Sequence, residues 1–539
     1  MTTKSLIAFF FAAALGTLSC GSPEESSSPG KPANAAVTAF YLTSSPEKKV
    51  SPNGRLTDSP LSPEIAIAFS SAIDLEQLKK ARIYLAGYSG EMDYSAGPDS
   101  KTLLLSPSEP LQELTRYVIT VTPGNNLGIK IIDSYTADLV TALDGGDKFP
   151  RISTDNLLTK VQQQTFKYFW DYAHPVSGLA RERLGSGNTV TTGGSGFGIM
   201  TLPVAVERGF VTRSEAAARL RKIVTFLSGK ADRFHGAFPH WLNGETGKVI
   251  PFSSKDNGGD LVETAFLIQG LLTASQYFNA AEEQDIRSGI DGLWRAVEWD
   301  WYTSGGKDVL YWHWSPDQGW AMNMTVSGWN EGLMTYVLAA SSPTHPVSRD
   351  AYVKGWARNG KMDMNNLSGP LFFTHYSFLG LDPRGLKDTY ADYWAHNVSH
   401  ARYNHDYCVR NPGRHAGYSD ACWGLTASDW PGGYTASSPS NDKGTIAPTA
   451  ALASFPYTPD ESLKALEYFY YVLGDRLWGN YGFYDAFCLD SVWFAQSYIA
   501  IDQGPIVVMI ENYRTGLLWD LFMKDPDVKE GLARLGFTI

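Results

Sequence analysis

Two short acidic runs set among indoles hold the residues best suited to chemistry. The first is Lys255-Asp256-Asn257-Gly258-Gly259-Asp260-Leu261-Val262-Glu263, the second is Gly328-Trp329-Asn330-Glu331, and Trp312-His313-Trp314 lies between them. Carboxylates beside aromatic faces suit cleavage of a glycosidic bond, in which one acid protonates the departing oxygen and a second carboxylate serves water or the anomeric carbon. Trp and Tyr combine a broad apolar face with a polar tip, which matches the CH-rich face of a sugar.

Each candidate has a structural competitor. Asp260 stands just before a helical run that starts at Leu261, and Glu263 follows at the spacing of a capping box, so both could serve the helix end instead. Asp256 is less easily explained that way, because the two nearby glycines leave room for a ligand. Glu331 precedes the apolar run Leu333-Met334-x-Tyr336-Val337-Leu338. It could simply complement a helix dipole, but burial against Trp329 would raise its carboxyl pKa toward the range of a general acid. Asp429, Asp485 and Glu511 compete for the place of second carboxylate or sugar-hydroxyl acceptor, and Glu511 could equally pair with Arg514 at i,i+3. Trp241, Trp312, His313, Trp329 and Asn330 complete the binding candidates. Asp392, His396 and His400 recur at helical spacing with His405 beyond them, yet no zinc motif accompanies them. Hydrogen-bonded histidines are expected there, and no metal. The stretch from Thr192 to Gly198 lacks the Lys-Ser/Thr of a phosphate loop and is expected to line a groove.

The elements that must position these side chains fall into two texts. From 37 to 145, short alternating runs such as Glu64–Phe69, Lys101–Leu105 and Tyr117–Thr122 are punctuated by turns, as in an immunoglobulin-like β-sandwich. From 150 to 539 the chain reads as helices with Gly-, Pro- and Trp-rich punctuation. Apolar stripes run through 157–170, 265–278, 286–299, 331–340, 462–473 and 491–501. Paired helices with the functional residues in the punctuation suggest an all-α (α/α) toroid whose loops form the groove at one end. With 539 residues the chain is too long for one core, and its net charge of −11 disfavours nucleic acid as a partner.

At the amino terminus, Lys4 and the apolar run Leu6–Leu18 resemble a secretory signal over residues 1–19, with Cys20 at the position of a lipoprotein lipidation site. A Pro/Ser-rich tether is expected over 20–36. Export to a bacterial outer membrane, held only by the lipid, follows from that reading. Cys408 and Cys422 could then pair and leave Cys488 free, or all three could be buried thiols.

From Phe166 to Phe537 the motifs resemble the bacterial glucoamylase-like proteins, glycoside hydrolase family 144, which act on β-1,2-glucans. The resemblance is carried by residues 193–198, His235-Gly236-Ala237-Phe238-Pro239-His240-Trp241, 256–266, 311–316, 328–331, 369–376, 423–429, 448–452 and 501–506. It implies an (α/α)6 barrel, no cofactor, and inverting hydrolysis with Asp256, Asp260 and Glu331 as the important acids. Glu331 is the favoured proton donor, with Asp256 or Asp260 orienting water or sugar and Asp429 or Asp485 open as the base. The expected substrate is β-1,2-glucan or its oligosaccharides, cut internally or as terminal sophorose by a monomer. An α-glucan glucoamylase and a non-catalytic glycan-binding lipoprotein are the alternatives.

Overall fold

The computed structural model describes residues 32–539, so the signal segment, Cys20 and most of the tether lie outside the described residues. Two compact units emerge, one running up to Gln112 and including Tyr117–Thr141, the other Glu113–Arg116 with Ala142–Ile539.

In the first unit, alternation places every second side chain between two sheets. Val37–Leu42, Ile65–Phe69, Thr102–Pro107 and Met92–Ala96 form one four-stranded antiparallel sheet in that order. Arg55–Ser59, Tyr135–Thr141, Arg116–Val121 and Ile83–Ala86 form the other. Phe40, Ile65, Ile67, Leu103, Leu105 and Ile119 are wholly buried in its core. A third, smaller sheet takes in Asn34–Ala35, paired in parallel with Ile129–Ile131. The strand therefore uses two residues that composition had placed in the tether.

The second unit is helical, with short strand pairs between helices. Thr154–Trp170, Leu261–Tyr277, Gln284–Arg295, Leu333–Ser341, Tyr393–Arg410 and Pro459–Glu467 are helices. Two expectations fail. The stripe at 491–501 is not helical: Trp493–Phe494 pairs with Phe487–Cys488, Val492 sits at φ 51°, and the helix runs later, over Ala500–Arg514. That helix is apolar nearly all round its middle, from Ile506 to Ile510, so it shows no stripe. The glycine-rich segment 192–198 is no loop but the buried start of the helix Thr192–Glu207. Its glycines admit a neighbouring helix. A Cβ on Gly196 would stand 2.2 Å from the Phe266 carbonyl oxygen, and one on Gly270 would stand 2.1 Å from the Gly196 carbonyl oxygen. No helix among the described residues is long and apolar enough to cross a membrane.

Candidate active site

A cavity of ≈ 620 Å³ opens where the helices Thr192–Glu207 and Leu261–Tyr277 begin and the turn before Leu333–Ser341 ends. Asp260, Glu263, Glu331, Asn330, Trp241 and Trp312 line it, together with Glu182, Arg183, His240, Phe372, Tyr376 and Tyr434.

Asp260 is the N-cap of its helix, its Oδ1 accepting from the N–H groups of Val262 and Glu263 at 3.0 Å each. Its Oδ2 lies 2.8 Å from His240 Nδ1. The capping and cavity-facing roles therefore coexist in one side chain. Glu263 does not complete a capping box. Its Oε2 accepts instead from Gly193 N–H at 2.7 Å, at the start of the neighbouring helix, and burial raises its pKa.

Glu331 sits in the turn two residues before its helix begins, and Ser377 Oγ donates to its carbonyl. Desolvation pushes its carboxyl up to about 7, and the charges of Asp260 and Glu263 add to the shift. A carboxylic acid that keeps its proton near neutrality is what a leaving oxygen needs. His240 is pulled down by burial, but the Glu263, Asp260 and Asp256 charges win and raise it to about 9. It is the cation of this acidic cluster.

Asp256 does not line the cavity. It is fully buried, its Oδ2 has no hydrogen-bond partner, and its Oδ1 lies 3.4 Å from His313 Nε2. Burial and the Asp260 charge raise its pKa. The glycines beside it make room for protein rather than ligand: a Cβ on Gly258 would meet the Trp314 carbonyl at 2.2 Å and one on Gly259 the Tyr302 hydroxyl at 2.1 Å. His313 is likewise interior, its Nε2 accepting from Gly258 N–H at 2.9 Å. His240, Asp256 and Asp260 each present a ligand atom within 4.8 Å of one another, and His240 Nδ1 is already paired with Asp260.

Two other candidates have structural roles, and the cysteines follow the buried-thiol reading rather than the paired one. Trp329 offers the cavity no face, because its ring packs 4.2 Å from His396 and 6.1 Å from Trp356. Glu511 is structural: Arg208 grips both its oxygens at 2.7 and 2.8 Å, while Arg514 turns to Gln162 and Asp155. Cys408, Cys422 and Cys488 are all free and buried, sitting as small apolar groups rather than as a disulfide, with burial pushing Cys408 up to about 12. The helical histidines and Asp392 each meet separate partners. Asp392 caps its helix through Ala395 N–H, His400 Nε2 meets the Gly369 carbonyl, and burial pushes His396 and His400 down to about 4. His405 lies between Asp406 and Asp420, 3.0 Å from each.

Asp429 and Asp485 belong to a second carboxylate group set behind the cavity surface. Arg183 Nη1 donates to Asp429 at 3.0 Å, Ser497 donates to it at 2.6 Å, and Asp429 N–H donates to Asp485 at 2.7 Å. Asp485 and Asp502 are buried and shifted upward by desolvation, with the Asp429 charge adding to the shift of Asp485 and Asp485 adding to that of Asp502. The carboxylate of this group that reaches the cavity is Glu182, which burial also shifts upward. Sequence reasoning missed Glu182, Arg183 and Tyr376. Glu182 has no indole beside it in the chain, and its one signal was the run Arg181-Glu182-Arg183 entering a glycine-rich turn.

Comparison with known proteins places both parts of the chain. Residues 323–526 match the family described as "Putative glucoamylase", and residues 44–138 match the bacterial Ig-like domain. A relative from Parabacteroides distasonis, an exo β-1,2-glucooligosaccharide sophorohydrolase (non-reducing end), is 48% identical over 420 residues, 71% of this chain and 58% of its own. The chain thus spans 58% of the length of that curated relative. A crystal structure from Bacteroides uniformis, carrying the same glucoamylase description, is 57% identical with a TM-score of 0.71, covering 72% of this chain and 99% of that one. The endo-β-1,2-glucanase of Chitinophaga pinensis, solved with sophorotriose and glucose, is 52% identical with a TM-score of 0.71 over 72% and 99%. On identity of this extent across nearly whole relatives, the chain belongs to the bacterial glucoamylase-like proteins, glycoside hydrolase family 144, with an immunoglobulin-like module ahead of the helical domain.

Proposed function

We propose that this protein hydrolyses β-1,2-glucosidic bonds in β-1,2-glucan or its oligosaccharides, with inversion at the anomeric carbon, on a helical domain closed as an (α/α)6 barrel. The observation that carries the reading is Glu331, a cavity-lining carboxyl held near 7, in the same cavity as Asp260, whose oxygens accept from two helix N–H groups and face His240. Glu331 protonates the departing oxygen. Asp260, with both oxygens already engaged, orients sugar rather than activating water. Water is served from the second carboxylate group, through Glu182 at the cavity surface or Asp429 behind Arg183. Asp256 supports the site from inside, as the negative neighbour of His240. The named activities of the Parabacteroides and Chitinophaga relatives support the linkage. Export as a lipoprotein anchored through Cys20 to the outer membrane, acting as a monomer, completes the proposal.

New reducing ends released from linear β-1,2-glucan, with starch as the control, test it. Glu331→Gln is expected to lower kcat by about 10²- to 10⁴-fold, the usual contribution of a positioned general acid. Undiminished turnover in that variant would remove Glu331 from the role, and release from starch alone would overturn the linkage.

A further inference from the structure

A second aromatic hollow, of ≈ 580 Å³, lies outside the cavity and is lined by Trp301, Trp320, Glu298, Asp300 and His345. Trp301 is 38% exposed, unusual for an indole in a unit that buries Trp294, Trp299, Trp356, Trp423 and Trp519 almost completely. One face of Trp301 is already used. The His235 ring stacks on it at 3.7 Å and 13°, and Trp314 meets it edge-on at 5.7 Å.

The support beneath that indole is built with care. His235 takes a left-handed backbone conformation, φ 51°, which a non-glycine residue adopts at some cost. Gly236 follows at φ 77°, where a Cβ would collide with the Ala296 carbonyl at 1.9 Å. His235 Nδ1 is fixed by Glu298 Oε2 at 2.7 Å, and the backbone N–H of Trp301 donates to Asp300 Oδ1 at 3.0 Å. Trp320 lies beside the same indole at 6.4 Å, and the part of the ring left against water costs hydration free energy unless something covers it. Glu298 and Asp300 stand at its edge, and a carboxylate engaged once or twice still has lone pairs to offer hydroxyl groups. An aromatic plane flanked by free acceptors matches a pyranose, with CH groups on its face and hydroxyls round its rim.

The hollow is also tied to the catalytic group through packed residues. Trp314 touches both His235 and Trp301, and its strand pairs in register with the cap of the catalytic helix, Gly259 opposite Trp314 and Asp260 opposite His313. We infer that the Trp301 hollow is a second sugar-binding site, which holds a glucan chain at the rim by stacking a glucose unit on the indole while the chain is cut in the cavity. This rests on the proposed β-1,2-glucanase reading for the identity of the chain.

Affinity electrophoresis through gels containing linear β-1,2-glucan tests it, with Glu331→Gln as the parent so that the polymer is not consumed. Adding Trp301→Ala is expected to weaken the retardation about tenfold, since the loss of one stacked aromatic contact amounts to roughly one power of ten in affinity. Trp301→Phe, which keeps a platform, is expected to recover part of it. Should Trp301→Ala fail to fold, as judged by thermal unfolding, Trp301→Phe and Glu298→Gln carry the test, each with weakened retardation expected. Retardation equal to the parent in folded variants overturns the inference. The wild-type protein's hydrolysis of the same glucan is scored separately, so a failure of the activity itself is recognised as such.

Discussion

The two carboxylate groups around the cavity are alike in composition and opposite in how their charge is balanced. Asp256, Asp260 and Glu263 surround His240, a cation that can lose its proton, and Glu331 feels the charges of Asp260 and Glu263. Glu182, Asp429 and Asp485 interact with Arg183, which cannot, and Asp502 joins them through Asp485. A permanent guanidinium fixes a carboxylate in place across the working pH range. An imidazole held at about 9 by several acids leaves the total charge of its cluster adjustable, which suits a group that must hand over a proton and recover it. On the proposed mechanism the His240 group gives the proton, through Glu331, and the Arg183 group holds in place the carboxylates that serve water.

The sharpest way to break this division is to neutralise one member of each group. Asp260→Asn removes the partner of His240 and is expected to lower kcat/KM by about 10²-fold or more, measured as reducing ends from β-1,2-glucan. The same change weakens the helix cap by about 1 kcal/mol, visible as a lower unfolding midpoint. In the wild type, kcat/KM should fall as pH rises through about 7, because Glu331 must be protonated to act and loses its proton there. A profile flat from pH 6 to 9 would move the acid elsewhere.

Arg183→Gln probes the other group. Removing the cation leaves Asp429 and Asp485 without their fixed counter-charge. Stability should drop by on the order of 1–2 kcal/mol at pH 8, the loss being moderated because Arg183 is partly solvent-exposed. The loss should shrink toward pH 5, where the buried carboxylates take up protons and no longer repel one another. Chemical denaturation at the two pH values measures both. An equal loss at pH 5 and 8 would show that Arg183 acts by packing alone.

Much of the His240 group was legible in the chain and little of the Arg183 group. Asp260, Glu331, Trp241 and Trp312 stand next to glycine turns and indoles, so local text was enough to mark them. Glu511 and Trp329 looked the same locally, but their partners, Arg208 and His396, come from helices far along the chain, and spacing cannot show those contacts. Glu182 and Arg183 acquire their meaning only through Asp429, 246 residues away. In the fold, alternation marks the strand at Arg116–Val121, where every second residue is buried, while Ile65–Phe69 is buried almost throughout and shows as a short apolar run bounded by turns. The helix starting at Thr192 hid behind its glycines, whose small size serves the contact with Phe266 and Gly270 rather than a turn.

The mildest probe of the comparison is His240 itself. Its folded pKa of about 9 stands above the ordinary histidine value of 6.5, so its protonated form is stabilised by the fold. That contribution is fully present below about pH 6.5 and is lost as pH rises through about 9. His240→Gln should therefore unfold more readily than the wild type at pH 6, by on the order of 1 kcal/mol, with the gap closing between pH 7 and 10. Arg183→Gln should show the opposite trend, its deficit widening with pH. Unfolding midpoints of both variants at pH 6, 8 and 10 place the two slopes side by side. Parallel slopes would mean that one shared field, rather than two separately balanced groups, governs the carboxylates of the cavity.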